Sequence, residues 1–203
     1  KPDEIFEKGI SLAFVPEDRL GMGLVASMDM VDNVMLRSYK NTPGPFADRK
    51  TPKKLCDKMI QDLEIVTPGT STPVRRLSGG NVQKVLLGRE IQCSPKLLMV
   101  SYPVRGLDIN SSYKIYDLLN EQKKRGAAVV FVGEDLDVLM EISDRIAVLC
   151  GGELSGVVDP RDGIAPGRWR DDDGGGLVSR LQGDGVGVGV VEGGLPKLDA
   201  QLA

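Results

Sequence analysis

From residue 96 to residue 158 the chain alternates short apolar runs with amphipathic stretches, and this alternation constrains the fold more than any other feature. Leu97–Val100, Ala127–Val132 and Arg145–Leu149 are brief, largely apolar runs with Gly or Pro nearby, the pattern of strands buried on both faces. Between the first two lies Ser111–Arg125, with Ile115, Leu118 and Leu119 at helical spacing and Gly126 as the C-cap. Between the second and third lies a shorter helical stretch, Asp135–Ile142. Glu153–Val158 is a candidate hairpin partner for the last strand. Strand, helix, strand, helix, strand predicts an α/β core with parallel pairing. Upstream, Ser11–Val15 reads as a strand, and Pro52–Leu63 and Asn81–Gln92 read as helices with Leu55, Met59 and Leu63 on one and Val85, Leu86 and Ile91 on the other. Residues 30–75 show no strand pattern and read as a mostly helical insertion.

Composition narrows the chemistry. Hydrophobic residues make up 41% and charged residues 27% of 203, enough for a packed core. Twenty-six basic against 29 acidic residues leave a net charge of −3, the opposite of what a dedicated nucleic-acid binder carries. Histidine is absent, which excludes His-dependent nucleophile systems and His-ligated metals. Cys56, Cys93 and Cys150 are widely spaced and form no CxxC pair, consistent with a reducing compartment. The longest apolar runs have about five to seven residues, well short of a membrane span. Lys1-Pro2-Asp3-Glu4 carries neither an initiator Met nor a signal segment, so the sequence reads as a cut through a longer protein. Beyond Asp159 the composition changes: 14 of the 25 glycines fall between Gly151 and Gly194. Residues 161–203 are therefore expected to be a Gly-rich, disordered tail, with an edge strand from the Gly-Val alternation at 183–191 as the alternative.

The run Leu77-Ser78-Gly79-Gly80-Asn81-Val82-Gln83-Lys84 stands at the start of a helix. Ser78 supplies a hydroxyl, two glycines permit close backbone approach, and the helix start offers unpaired N–H groups and a positive dipole end, which suits a phosphate. A helix cap with no ligand is the plain alternative. Downstream stand Ser101-Tyr102-Pro103, Arg105-Gly106-Leu107-Asp108 and Gly133-Glu134-Asp135, and upstream Val15-Pro16-Glu17-Asp18-Arg19.

In this order and wording the chain resembles the nucleotide-binding domain of ATP-binding cassette (ABC) transporters, and in particular the second, C-terminal cassette of tandem simple-sugar and nucleoside importer ATPases. The resemblance covers about residues 5–160. Residues 77–84 look like the signature motif, 97–102 the Walker B strand, 106–108 the D-loop, 131–135 the switch region and 14–19 the Q-loop side of the helical insertion. It implies an α/β, ABC-type P-loop NTPase core with an inserted helical subdomain, N-terminally truncated because no Gly-x-x-x-x-Gly-Lys-Ser/Thr Walker A loop occurs. The expected organisation is 1–20 core strand and Q-loop region, 21–95 helical subdomain with the signature, 96–160 RecA-like core and 161–203 tail. Ser101 stands where the family has the Mg²⁺-holding Asp, Tyr102 where it has the catalytic Glu, and Glu134 where it has the switch His. A serine lacks the anionic oxygen that Mg²⁺ favours, and a tyrosine is a poor base near neutrality. These three positions mark a degenerate site.

The resemblance implies that Ser78, Gly79, Gly80, Gln83, Asp108 and Glu17 contribute to nucleotide binding, with Ser78, Gly79, Gly80 and Gln83 donated across an interface to the ATP of a partner cassette. ATP and Mg²⁺ are the implied cofactors of that assembled pair, with no metal site of this chain's own. The implied partners are a first cassette in the same polypeptide or a homodimer mate, transmembrane permease subunits, and indirectly a substrate-binding protein, at the cytoplasmic face of the membrane; nucleic acid is not among them. Taken singly, the same residues have plainer readings: Ser101 and Tyr102 as strand-end residues, Asp108 as a helix cap, Glu17-Asp18-Arg19 as a solvated turn. Arg49, Lys50, Lys53 and Lys54 read as a solvated helix face. Met22, Met28, Met30 and Met35 divide between core filling and a surface for a membrane subunit. A soluble ABC ATPase acting on nucleic acid or ribosomes, and a catalytically inactive interaction module, are the two alternatives.

Overall fold

The computed structural model describes residues 9–39, 48–133, 135–160 and 186–191. Glu134, the expected switch position, and residues 161–185 and 192–203 of the expected tail lie outside the described residues. The chain divides into two compact units, one of residues 1–12, 96–102 and 116–203, the other of residues 13–95 and 103–115. Strand β1 (Leu12–Val15) and helix α4 (Ile109–Lys124) each run from one unit into the other.

The first unit is built on β2 (Leu97–Ser101), β3 (Ala128–Gly133), β4 (Arg145–Cys150), β5 (Glu153–Val158) and β6 (Val186–Val191), ordered β2-β3-β6-β4-β5, with α5 (Leu136–Ile142) between β3 and β4 in sequence. β2 and β3 pair in parallel, from Leu97 opposite Ala128 to Ser101 opposite Val132. Leu98, Val100, Val129, Phe131, Ile146 and Val148 are buried at every second position, as period-two strands require. β4 and β5 form an antiparallel hairpin closed by Gly151 and Gly152, both at positive φ (59° and 85°), the two-residue turn that matches strand twist.

β6 departs from expectation. The sequence reading places this Gly-Val run in a disordered tail or at an edge, yet Val186–Val191 pairs antiparallel with β3 on one side and with β4 on the other. It is therefore an interior strand. Glycine weakens a strand because it has no side chain to bury. Two flanking ladders instead satisfy the backbone groups on both edges, a gain that side-chain patterning does not register.

The second unit is mainly helical: α1 (Met30–Ser38), α2 (Lys50–Asp62) and α3 (Gly79–Ile91), with a single π-helical turn at Arg19–Gly23 and a 3₁₀ turn at Val74–Arg76. Helix α3 is its centre, with every residue from Val82 to Glu90 buried. Val15, Met30, Val34, Met59, Val74, Leu86 and Leu87 complete the apolar core. Glu90, 1% exposed, takes Arg89 at 2.8 Å and Arg37 at 2.7 Å, and Arg89 also donates to the Gly23 carbonyl. The charged triad thus ties α1, α3 and the π turn. The methionines divide: Met30 is fully buried while Met22 is 74% exposed. Lys50, Lys53 and Lys54 lie on an exposed helix face, and Arg49 pairs with Asp29 and Asp32.

Candidate functional site

The start of α3 is a capped helix terminus. Ser78 is the N-cap, with extended backbone (φ −65°, ψ 158°). Its Oγ accepts from the Asn81 backbone N–H at 3.5 Å and from Asn81 Nδ2 at 2.9 Å. Asn81 is fixed in turn, since its Oδ1 accepts from the Val66 N–H at 2.9 Å. A hydroxyl has two acceptor positions and one proton, so Ser78 keeps its O–H for an acceptor outside the helix. The N–H groups of Gly79 and Gly80 have no acceptor among the described residues, as the first turn of a helix leaves them. Two amides, a hydroxyl proton and the positive helix end form a donor set for an anionic oxygen.

The other predicted positions of this unit surround that terminus. A Cβ on Gly80 would stand 3.0 Å from Ser111 Oγ, so glycine there keeps α3 close to the start of α4. Ser111 donates from its N–H to Asp108 Oδ1 at 3.0 Å and from its hydroxyl to Asp108 Oδ2 at 2.7 Å. Asp108 is therefore the N-cap of α4, and these bonds from Ser111 hold its carboxyl below the ordinary 3.8. Glu17 is ion-paired with Arg105. Arg19 donates from Nε to Gln83 Oε1 at 2.7 Å and from Nη2 to the Arg105 carbonyl. Burial lowers the Arg19 pKa, against the opposing charge of Glu17. Lys84 reaches the Glu64 carbonyl at 3.0 Å, and burial lowers its pKa too.

Two predicted positions are tied into the chain itself. Gln83 is 1% exposed, with its oxygen held by Arg19 and its Nε2 without a partner among the described residues. Glu17-Asp18-Arg19 is a tied turn. Asp18 caps it by accepting from the Gly21 N–H at 2.8 Å, and a Cβ on Gly21 would lie 2.0 Å from the Asp18 carboxylate, which only glycine avoids. Arg19 and Ser111 are the residues that sequence reasoning left without a role. The signal for Arg19 was its place in Val-Pro-Glu-Asp-Arg; nothing in the pattern marked Ser111.

Ser101 and Tyr102 belong to the first unit. Tyr102 adopts φ 46°, uncommon for a non-glycine residue, and its N–H donates to the Val132 carbonyl at 2.8 Å. Neither side chain supplies a carboxylate, so these two residues do not fit Mg²⁺. Among the described residues no group of three or more His, Cys, Asp or Glu is placed to hold a metal. No helix among them is long and apolar enough to cross a membrane.

The fold is that of an ATP-binding cassette. Among solved structures it matches a dimeric ATP-binding cassette in a post-hydrolysis state with ADP and phosphate, with a TM-score of 0.65 at 23% identity over 79% of this chain and 68% of that one. It also matches a Clostridium perfringens protein that is part of an ABC transporter complex, with a TM-score of 0.61 at 21% identity over 80% and 62%. No family model matches. Curated relatives are more specific. The xylose import ATP-binding protein of Moorella thermoacetica is 37% identical over 145 residues, 71% of this chain and 29% of the relative. The ribose import ATP-binding protein of Bacillus licheniformis is 36% identical over 163 residues, 80% and 33%. The galactose/methyl galactoside import ATP-binding protein of Escherichia coli K12 is 36% identical over 152 residues, 73% and 30%. The chain belongs to the ABC ATPase family. It spans about a third of the length of these relatives.

Proposed function

We propose that this chain is the second ATP-binding half of an importer ATPase that energises uptake of a simple sugar or nucleoside, and that it works by lending its α3 terminus to nucleotide held by a partner cassette. The observation that carries the reading is the contrast within one chain. The Ser78–Gly80 terminus has its donors free and its cap complete, while positions 101 and 102 offer Ser and Tyr in place of two carboxylates. A γ-phosphate positioned at the terminus gains preorganised donors as charge develops in the transition state. The base, the Mg²⁺ ligands and the phosphate loop come from the partner.

Permease subunits are the proposed membrane partners, with the ATPase peripheral on the cytoplasmic side. Met22, Val25, Met28, Leu36 and Tyr39 are exposed side chains of the second unit, and flexible methionines among them suit an adaptable protein contact. The names of the sugar-import relatives support the substrate class.

Isothermal titration of the 203-residue chain with Mg-ATP tests the division of labour. The expected dissociation constant is no tighter than about 1 mM, or about −4 kcal/mol. Micromolar binding would give this half a working site of its own and overturn the reading.

A further inference from the structure

Arg19 joins two places that the chain order keeps apart, the start of α3 and the turn before α4. Its Nε donates to Gln83 on α3, its Nη2 donates to the Arg105 carbonyl in the turn before Asp108, and its Nη1 lies 3.4 Å from where a Cβ on Gly79 would stand. The residue is itself held. It opens the π turn that Asp18 caps at one end, and Arg89 fixes the Gly23 carbonyl at the other at 2.8 Å. Glu17, two residues earlier, reaches back to the Arg105 side chain. The turn after β1 and the turn before α4 are therefore joined twice.

The chemistry of the contact is directional. Arginine has donors only, so it accepts no amide nitrogen and forces Gln83 to present its oxygen. That fixes the Gln83 amide in one of its two orientations. Gln83 Nε2 has no partner among the described residues, so no other described group selects that orientation. Lysine does not reproduce the arrangement, because its ammonium is a single point on a flexible stem and not a planar fork.

We propose that Arg19 is a positioning residue for the start of α3. It sets the Gln83 amide and clamps the 103–108 turn against Gly79 and Gly80, so that the Ser78 hydroxyl, the two glycine amides and the Asp108 cap stay in one fixed arrangement. It acts through Gln83 and the Arg105 carbonyl and does not itself touch nucleotide. The proposal rests on the phosphate-facing reading of that terminus.

Steady-state ATP hydrolysis by the assembled transporter containing this chain tests it, with R19M, R19K, Q83M, the double variant R19M/Q83M and, as control, S78A. The partner cassette binds ATP in its own phosphate loop, so loss of positioning is expected to lower kcat about tenfold in R19M and in R19K while leaving KM within about twofold. The double variant should be no slower than R19M, because both substitutions break one interaction. R19K at the wild-type rate, or losses that multiply in the double variant, would overturn the proposal. S78A at the wild-type rate would instead overturn the phosphate-facing reading on which it rests. A second measurement on the 203-residue chain stands apart from turnover: amide hydrogen exchange in residues 82–84 is expected to rise about tenfold in R19K with α2 unchanged. A rise shared equally by α2 would mean general destabilisation and would equally overturn the proposal.

Discussion

Ser78 and Cys56 show how the second unit separates used side chains from silent ones. Ser78 receives two donors and keeps its own proton. Cys56 is fully buried on α2, and burial pushes its thiol up to about 12, with Asp29 and Asp57 adding to the effect. A thiolate is the reactive form, so iodoacetamide in mildly alkaline buffer is expected to label the exposed Cys93 and leave Cys56 untouched until denaturant is added. Peptide mass spectrometry checks the order; Cys56 labelled as fast as Cys93 would contradict the packing around it. At this scale the sequence shows residue type and spacing, which made Ser78, Gly79 and Gly80 legible. It does not show which side chain turns inward. Gln83 reads as a ligand contact from its place in the motif, yet the same helix face that buries Leu86 and Leu87 also buries its amide. Arg19 reads as a solvated charge because its partners lie 64 and 86 residues away.

The helices were legible at the level of the element because their apolar periodicity and their caps agree. Asp108 is the clearest case. Ser111 donates to both of its carboxylate oxygens, and the carboxyl is held below its ordinary 3.8. A folded pKa below the unfolded one stabilises the fold above the unfolded value, and the contribution is lost as pH falls through the folded value. The melting temperature of Asp108→Ala is therefore expected to lie a few degrees, about 2–5 °C, below that of the parent chain near neutral pH. The gap should narrow as pH drops below 3.8, and melting curves across that range check it; a gap that widens in acid would show that the carboxylate does not cap α4. The strands were legible for a different reason, the burial of alternate side chains, and the same reason hid β6. Its ladders with β3 and β4 are backbone contacts, and a Gly-Val run carries too little side chain to announce them.

On the scale of the whole molecule the proposed function is asymmetric. The sugar-import ATP-binding proteins that the chain resembles are about two and a half times its length, and the site proposed here lies wholly on residues of the second unit. No Gly-x-x-x-x-Gly-Lys-Ser/Thr phosphate loop occurs in these 203 residues, so in the proposed reading the phosphate is held elsewhere. Tyr102, at φ 46° on the first unit, has by this account no proton to abstract and no metal to orient. Steady-state ATP hydrolysis by the assembled transporter, compared between Ser78→Ala and Tyr102→Phe, separates a donated terminus from a working site of this half. Ser78→Ala is expected to lower kcat about tenfold or more, the loss of one donor to a developing charge, and Tyr102→Phe to stay within about twofold of the parent. The reverse order, with Tyr102→Phe the more damaging, would place essential chemistry in this half's own site and contradict the account.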